Sequence, residues 1–142
     1  MDLSEGNLYY ELQGKKYKAP PDEIHKHVSV TAPYLEVIEE MTLAEFLMFH
    51  QKFKPFVSSL SVKEITNSIG LMKQRVKLAQ CILSDTSLVL LDEPCTNLDT
   101  EGIALYHQLI NEYCKNRLVI VSSNDEVEYK FCKKIIAVAD YK

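Results

Sequence analysis

The sequence predicts an α/β protein, a mostly parallel sheet with helices packed against it. Three observations carry that expectation. Apolar runs of strand length recur at Leu88–Leu91, Leu118–Val121 and Ile135–Val138. Segments with helical spacing of apolar residues separate them, and several of these open on a capping residue. Strand–helix–strand–helix–strand with apolar strands is the pattern of parallel strands joined by right-handed crossovers.

Element by element, Leu8–Leu12 reads as a short strand that turns at Gly14-Lys-Lys. Ala19-Pro-Pro-Asp-Glu-Ile24 reads as a turn opening a short helix, since proline is tolerated in a first turn. His27–Thr31 alternates as a strand, which Pro33 ends. Thr42-Leu-Ala-Glu45 has capping-box spacing and opens an amphipathic helix through Phe46, Leu47, Phe49 and Phe53. Ser61-Val-Lys-Glu64 repeats the signal for a shorter helix. Met72–Leu83 is a third, with Val76, Leu78, Ala79 and Ile82 on its apolar face. After the strand Leu88–Leu91, read as buried, a helix over about Thr100–Cys114 turns Ile103, Leu105, Leu109 and Ile110 inward. The strand Leu118–Val121 follows, then a helix from Asn124 to Phe131 capped by Ser123, and a last strand Ile135–Val138. The stretch from Tyr34 to Gly70 lacks strand patterns and reads as a helical insertion into the core.

At 142 residues the chain has the length of one domain and can bury roughly two-thirds of its unfolded surface. It is 46% hydrophobic and 25% charged, a globular composition. A formal charge of −4 argues against a nucleic-acid partner, whose footprint is basic. No apolar run approaches the ~18 residues of a membrane span, so direct membrane insertion is not expected, and the opening Met-Asp-Leu-Ser-Glu-Gly does not read as a signal peptide. Cys81, Cys95, Cys114 and Cys132 show neither Cys-x-x-Cys spacing nor a nearby histidine at ligand spacing, and read as reduced cytoplasmic thiols.

The chemistry concentrates in residues 88–99, Leu-Val-Leu-Leu-Asp-Glu-Pro-Cys-Thr-Asn-Leu-Asp. Asp92 and Glu93 stand at the carboxyl end of an apolar strand, the edge where open α/β sheets place ligands. In phosphoryl-transfer sites a strand-end aspartate holds Mg²⁺ and a second group orients the attacking water. An acidic pair that merely ends a core strand and caps the next loop is the alternative reading.

These residues, together with Met72-Lys-Gln-Arg75 and Asn97-Leu98-Asp99, resemble the ATP-binding subunit, or nucleotide-binding domain, of ABC transporters. In that family Gln-Arg begins the helix after the signature loop, the Walker B strand ends in Asp-Glu-Pro, and the D-loop closes on Leu-Asp. Met41-Thr-Leu-Ala-Glu-Phe-Leu47 is similar to the family's entry to its helical subdomain. The resemblance runs from about Glu5 to the C-terminus in the family's order. It implies a partial P-loop NTPase-type fold: one incomplete ABC ATPase domain over 1–142. Core strands would occupy 1–33, a shortened helical subdomain 34–71, and the signature helix, Walker B, D-loop and C-terminal core 72–142.

The departures are specific. No Gly-x-x-x-x-Gly-Lys-Ser/Thr occurs in the 142 residues, and this phosphate loop (Walker A) is what cradles nucleotide phosphates. Pro33 stands where the Q-loop glutamine is expected. The signature Leu-Ser-Gly-Gly aligns onto Ser68-Ile69-Gly70-Leu71, and the stretch before it is short. The switch histidine aligns with Ser123.

The resemblance implies Asp92 as the Mg²⁺ residue and Glu93 as the catalytic general base. Gly70, Lys73, Gln74 and Arg75 would face phosphate bound by a partner subunit, since a helix N-terminus favours anions; a solvated polar turn is the alternative. Asp99 would reach across a dimer interface, and is at the same time a helix N-cap. Ser123 would stand in for the histidine on a γ-phosphate, or serve only as a cap. The Leu43–Phe53 stripe would dock a transmembrane subunit or pack in the core. ATP and Mg²⁺ are the implied cofactors, with a second ATP-binding subunit, identical or not, and a transmembrane transporter subunit as partners. That places the chain in the cytoplasm, peripheral to the membrane. Two functions stay open: an ATPase subunit driving transport, or a non-catalytic remnant or partner subunit. In either case the 142 residues alone are expected to lack ATPase activity, for want of the phosphate loop.

Overall fold

A computed structural model of the chain describes residues 9–12, 14–18, 24–57, 60–70 and 72–141. The expected turn at Ala19–Glu23 lies outside them, as do Leu8 and Leu71. Strands β1 (Tyr9–Leu12) and β2 (Lys15–Lys18) form an antiparallel hairpin with Leu12 opposite Lys15. Gly14 takes φ +75°, a left-handed turn conformation open to glycine at little steric cost. The sequence signals β1 but not β2, because Lys-Lys-Tyr-Lys carries no apolar alternation.

A four-residue helix α1 (Ile24–His27) leads into β3 (Val28–Thr31). Helices α2 (Leu43–Gln51), α3 (Val62–Ile69) and α4 (Lys73–Leu83) then connect β3 to β4 (Leu88–Asp92), and α5 (Thr100–Tyr113) connects β4 to β5 (Leu118–Ser122). The three strands are parallel in the order β3-β4-β5, with Val28, Leu88 and Leu118 in register. This is the α/β architecture expected, a parallel sheet with flanking helices.

Both capping boxes form. Thr42 accepts from the Glu45 amide at 3.3 Å while the Glu45 carboxylate accepts from the Thr42 amide at 2.9 Å; Ser61 and Glu64 repeat this at 3.3 and 2.8 Å. The Thr42 and Ser61 hydroxyls also donate to the Glu45 and Glu64 carboxylates at 2.6 Å, and these bonds first, then those from the backbone amides, hold both glutamates below the usual carboxylate range. The expected apolar face of α4 is buried, joined by Cys81 and Leu83. On α5, Leu109 and Ile110 are buried, Ile103 and Leu105 half-buried, and Tyr106 fully enclosed. The α2 stripe is only partly core: Phe46 and Leu47 are buried, but Phe49 is 42% and Phe53 67% exposed. Phe53 lies beyond the end of α2 and meets Phe49 edge to face.

Strand alternation divides the sheet into two unlike faces. Ser29, Thr31, Val89, Leu91, Val119 and Val121 point into the core with α4 and α5. On the other face Val30 is 51%, Leu118 62% and Ile120 50% exposed. The expectation of a fully buried Leu88–Leu91 is therefore corrected: Val89 and Leu91 are buried, Leu88 and Leu90 only half so. Described helices cover a single face. At the amino end of the sheet Arg117 donates to the Thr86 carbonyl at 2.6 Å, to the Thr86 hydroxyl at 2.7 Å and to the Ile82 carbonyl. It thereby places a cation at the carboxyl end of α4, where the helix dipole favours one.

Two C-terminal expectations fail. The helix predicted from Asn124 to Phe131 is the single turn α6 (Glu126–Tyr129), and its N-cap is Asp125, which accepts from the Val127 amide at 2.9 Å. Ser123 instead accepts from the Asp125 amide at 2.9 Å, a local turn that offers the backbone an alternative to helix. Ile135–Val138 forms no strand; the chain runs irregularly to a 3₁₀ turn at Val138–Tyr141. Ile135, Ile136 and Val138 are 70%, 59% and 79% exposed. A strand needs a neighbour to pair with, and none lies alongside among the described residues.

Candidate functional site

Asp92 is the last residue of β4 and pairs with Ser122 of β5. Alternation puts its side chain on the same face as Leu88 and Leu90, the face that no described helix covers. Its Oδ2 accepts a 3.1 Å hydrogen bond from the Tyr34 hydroxyl, and this bond, with the carboxylate's charge, holds the phenol above its usual pKa. Tyr34 follows Pro33 in the turn after β3, and Lys77 of α4 anchors that turn by donating to the Pro33 carbonyl at 2.8 Å.

Glu93 leaves the strand with φ +41°, a left-handed conformation that is uncommon outside glycine. Its amide donates to the Ser122 carbonyl at 2.9 Å, so the turn is stitched to the end of β5. The carboxylate is exposed, touched by the Thr96 hydroxyl at 3.4 Å. The turn closes through the Thr96 amide on the Glu93 carbonyl and the Leu98 amide on the Cys95 carbonyl, with Asn97 left-handed at φ +62°. Asp92, Glu93 and Ser123 thus sit together at the carboxyl ends of β4 and β5.

The signature-helix residues are committed elsewhere. Asp99 caps α5, its Oδ1 accepting from the Gly102 amide at 2.8 Å, and both its oxygens accept from Arg75 at 2.8 and 3.0 Å. Arg75 foremost, then the Gly102 amide, holds the Asp99 carboxyl below its usual range. The Arg75 side chain is 14% exposed, reaches Glu101 at 3.4 Å and leaves its Nε buried without a partner. Gly70 ends α3 at φ +68° and is exposed. Lys73 pairs with Glu39 in an open cleft formed with residues 35–40 and Lys77, and Gln74 is half-buried in the first turn of α4.

What these groups hold can be tested against the cofactors that the resemblance implies. Among the described residues no cluster of three or more His, Cys, Asp or Glu side chains could ligate a metal unaided. Asp92 retains an oxygen free of Tyr34 for a metal-bound water, and Glu93 is open to solvent. Lys73 and Arg75 are paired with carboxylates. The residues fit the metal and water side of such a site, and do not by themselves fit a nucleotide's phosphates.

Three residues escape sequence reasoning. Tyr34 reaches Asp92 from a turn without regular pattern. Gly102 is buried where a Cβ would sit 2.9 Å from both Asp99 Oδ1 and Leu98 Cδ2; a glycine in a helix's first turn was the available signal. Glu128 is a carboxylate at 3% exposure whose Oε1 accepts from the Cys95 amide at 2.6 Å, and a glutamate in a polar run gave no signal.

No protein-family model matches the chain. Among curated proteins it is 25% identical over 144 aligned positions to ABC transporter A family member 7 of Dictyostelium discoideum, covering 89% of this chain and 17% of that one. It is 35% identical over 80 positions to the lipoprotein-releasing system ATP-binding protein LolD 1 of Rhodopseudomonas palustris, 54% of this chain and 35% of that protein. With the ABC transporter ATP-binding protein YhcH of Bacillus subtilis the identity is 29% over 146 positions, 87% of this chain and 45% of the relative. The chain thus spans less than half the length of these three relatives. The fold is shared with the ATP-binding cassette MJ0796, solved as a post-hydrolysis dimer bound to ADP and Pi, at TM-score 0.62 and 19% identity over 88% of this chain and 66% of that one. No helix among the described residues is long and apolar enough to cross a membrane. In sequence the chain is similar to ABC transporter ATP-binding proteins over part of their length, and its fold is that of an ATP-binding cassette.

Proposed function

We propose that this chain carries the metal-and-water half of an ATP-hydrolysing transporter subunit, and that the half which grips the phosphates must be brought to it. The observation that carries this reading is Asp92 on the uncovered, apolar face of the sheet, beside the Glu93 turn. Parallel sheets are ordinarily covered on both faces, so Val30, Leu118 and Ile120 await cover from polypeptide that brings a phosphate loop with it. In that assembly Asp92 would hold Mg²⁺, which would supply charge stabilisation for the phosphates, and Glu93 would align the attacking water. Ser123 faces the γ-phosphate as an uncharged hydroxyl. Gly70, Lys73, Gln74 and Arg75 approach nucleotide held by a second ATP-binding subunit, which requires the Arg75–Asp99 pair to open. A transmembrane subunit sets what is moved, and places the chain at the cytoplasmic side of a membrane. The division into core (1–33), helical insertion (34–71) and signature-to-C-terminal core (72–142) belongs to the same reading.

A second reading, a subunit that folds without turning over nucleotide, is favoured by Ser123 in place of a histidine and by the Tyr34 hydroxyl on the Asp92 carboxylate. Calorimetry with MgATP decides between them, on the 142-residue chain and on Glu93→Gln, with and without a phosphate-loop strand–helix fused upstream. The reading expects no binding by the chain alone up to millimolar nucleotide and binding by the fusion. Micromolar binding by the chain alone overturns the division of labour; a fusion that folds but binds nothing favours the non-catalytic subunit.

A further inference from the structure

We infer that Glu128 is a positioning residue, a buried carboxylate that clamps the turn carrying Glu93 and ties its geometry to the segment after β5. The consequence for hydrolysis rests on the reading of Glu93 above; the clamp itself does not. Glu128 lies on α6 at 3% exposure, and its Oε1 accepts a 2.6 Å bond from the Cys95 amide, two residues beyond Glu93. Its Oε2 is buried without a partner. A carboxylate taken out of water against one amide is an expensive way to fill space, since a buried charge needs several partners to offset its lost hydration. An apolar side chain would pack there at less cost, so the acceptor itself is what the site retains.

What the acceptor does follows from the turn. Glu93 and Asn97 are both left-handed non-glycine residues within five positions, and such strained conformations persist only where their surroundings fix them. The Glu93 amide is fixed by the Ser122 carbonyl, and Pro94 is fully buried. The next amide available is that of Cys95, and Glu128 takes it. Glu128 is itself fixed from behind, because the buried Tyr106 hydroxyl donates to its carbonyl at 2.7 Å. Ser123 lies between β5 and α6, so any shift of that segment moves Glu128 and with it the aim of the Glu93 carboxylate.

Amide hydrogen exchange read by NMR on the 142-residue chain tests the clamp without nucleotide. Glu128→Ala is expected to speed exchange at Cys95 roughly tenfold to a hundredfold, the range for a bond to a charged acceptor, with the increase confined to residues 93–98. Glu128→Gln keeps an acceptor oxygen and recovers most of the protection, with the Cys95 amide proton shift moving back toward its original position. Glu126→Gln, on the exposed side of the same turn, leaves 93–98 unchanged. Unchanged exchange at Cys95 in Glu128→Ala overturns the inference, as does a rise spread equally through α4 and β4, which would make Glu128 ordinary core. Should Glu128→Ala fail to fold, Glu128→Gln decides, because loss of Cys95 protection that equals loss elsewhere refutes a local clamp. If the clamp holds and the fused chain of the calorimetric experiment hydrolyses no ATP, it is the reading of Glu93 that falls.

Discussion

His50 makes the stability of this fold depend on pH below neutrality. The ring lies half-buried between α2 and the end of α4, tilted against Phe56. The fully buried Ser84 hydroxyl donates to the Gln80 carbonyl at 2.5 Å, so the 2.8 Å contact of His50 Nε2 with Ser84 Oγ is donated by the ring. Nδ1 then accepts from the Gln80 side-chain amide at 3.0 Å. A proton on Nδ1 would face an amide nitrogen that has no lone pair to offer. Burial, and next the nearby Lys54 ammonium, push the imidazole down from 6.5 to about 4. A histidine depressed in the fold contributes stability that is fully present above its unfolded pKa and is lost as pH falls from 6.5 toward 4. For a ring wholly removed from water, linkage over that interval gives about 2 kcal/mol between pH 7.5 and pH 5. This ring keeps part of its hydration, so we halve the figure to about 1 kcal/mol. The depressed carboxyls of Glu39, Glu45, Glu64 and Asp99 lose their contributions only at lower pH. His107, also lowered chiefly by burial, adds to the same slope, so the His50 share is isolated by His50→Gln. Urea unfolding at the two pH values, on the original chain and on His50→Gln, measures it. An identical pH slope in both, or an NMR titration of the folded ring near 6.5, refutes the reasoning.

Three further outcomes follow from the geometry. Gly102→Ala forces a Cβ to within 2.9 Å of Asp99 Oδ1 and Leu98 Cδ2, and is expected to cost about 1–3 kcal/mol in chemical denaturation while weakening the α5 cap. Ser61→Ala removes the side-chain acceptor of the Glu64 amide and is expected to cost about 1 kcal/mol, read as an earlier thermal midpoint. Ile120→Lys on the open sheet face is expected to leave stability within about 0.5 kcal/mol and to reduce concentration-dependent light scattering, because the patch it interrupts is apolar and exposed.

Local signals in this sequence were legible wherever short-range chemistry decides. Thr42 with Glu45 and Ser61 with Glu64 form the boxes that their spacing announces, and Asp99 caps α5. The three strands of the parallel sheet fall within one residue of where their apolar runs lie. Position along the chain also brought Asp92, Glu93 and Ser123 to one edge, since parallel strands share their carboxyl end. Long-range partners were not legible. Arg75 reads as a free cation at a helix start, yet Asp99, 24 positions on, occupies it. Glu128 carries no signal in the sequence, yet packing encloses it against the Cys95 amide, 33 positions away. Ser123 misled because Asp125, two residues later, is an equally good cap and lies closer to where the helix begins.

The unformed strand and the exposed sheet face both lack a neighbour among the described residues. Ile135–Val138 has the composition of a buried strand and stays irregular, its Ile and Val side chains more than half exposed. On β5, Leu118 and Ile120 are exposed while the inward Val119 and Val121 pack normally. A strand pattern is a statement about neighbours: alternation specifies which face meets a core, and extended backbone persists only where its amides and carbonyls are paired. Where the neighbour is present, as β4 is for β3 and β5, the pattern is realised residue for residue. Where none lies alongside among the described residues, the same kind of sequence remains as exposed apolar chain. Because Asp92 lies on the uncovered face, polypeptide that covers Leu118 and Ile120 also comes to lie beside the carboxylate. On the function proposed above, covering this face and completing a phosphate site are one structural event.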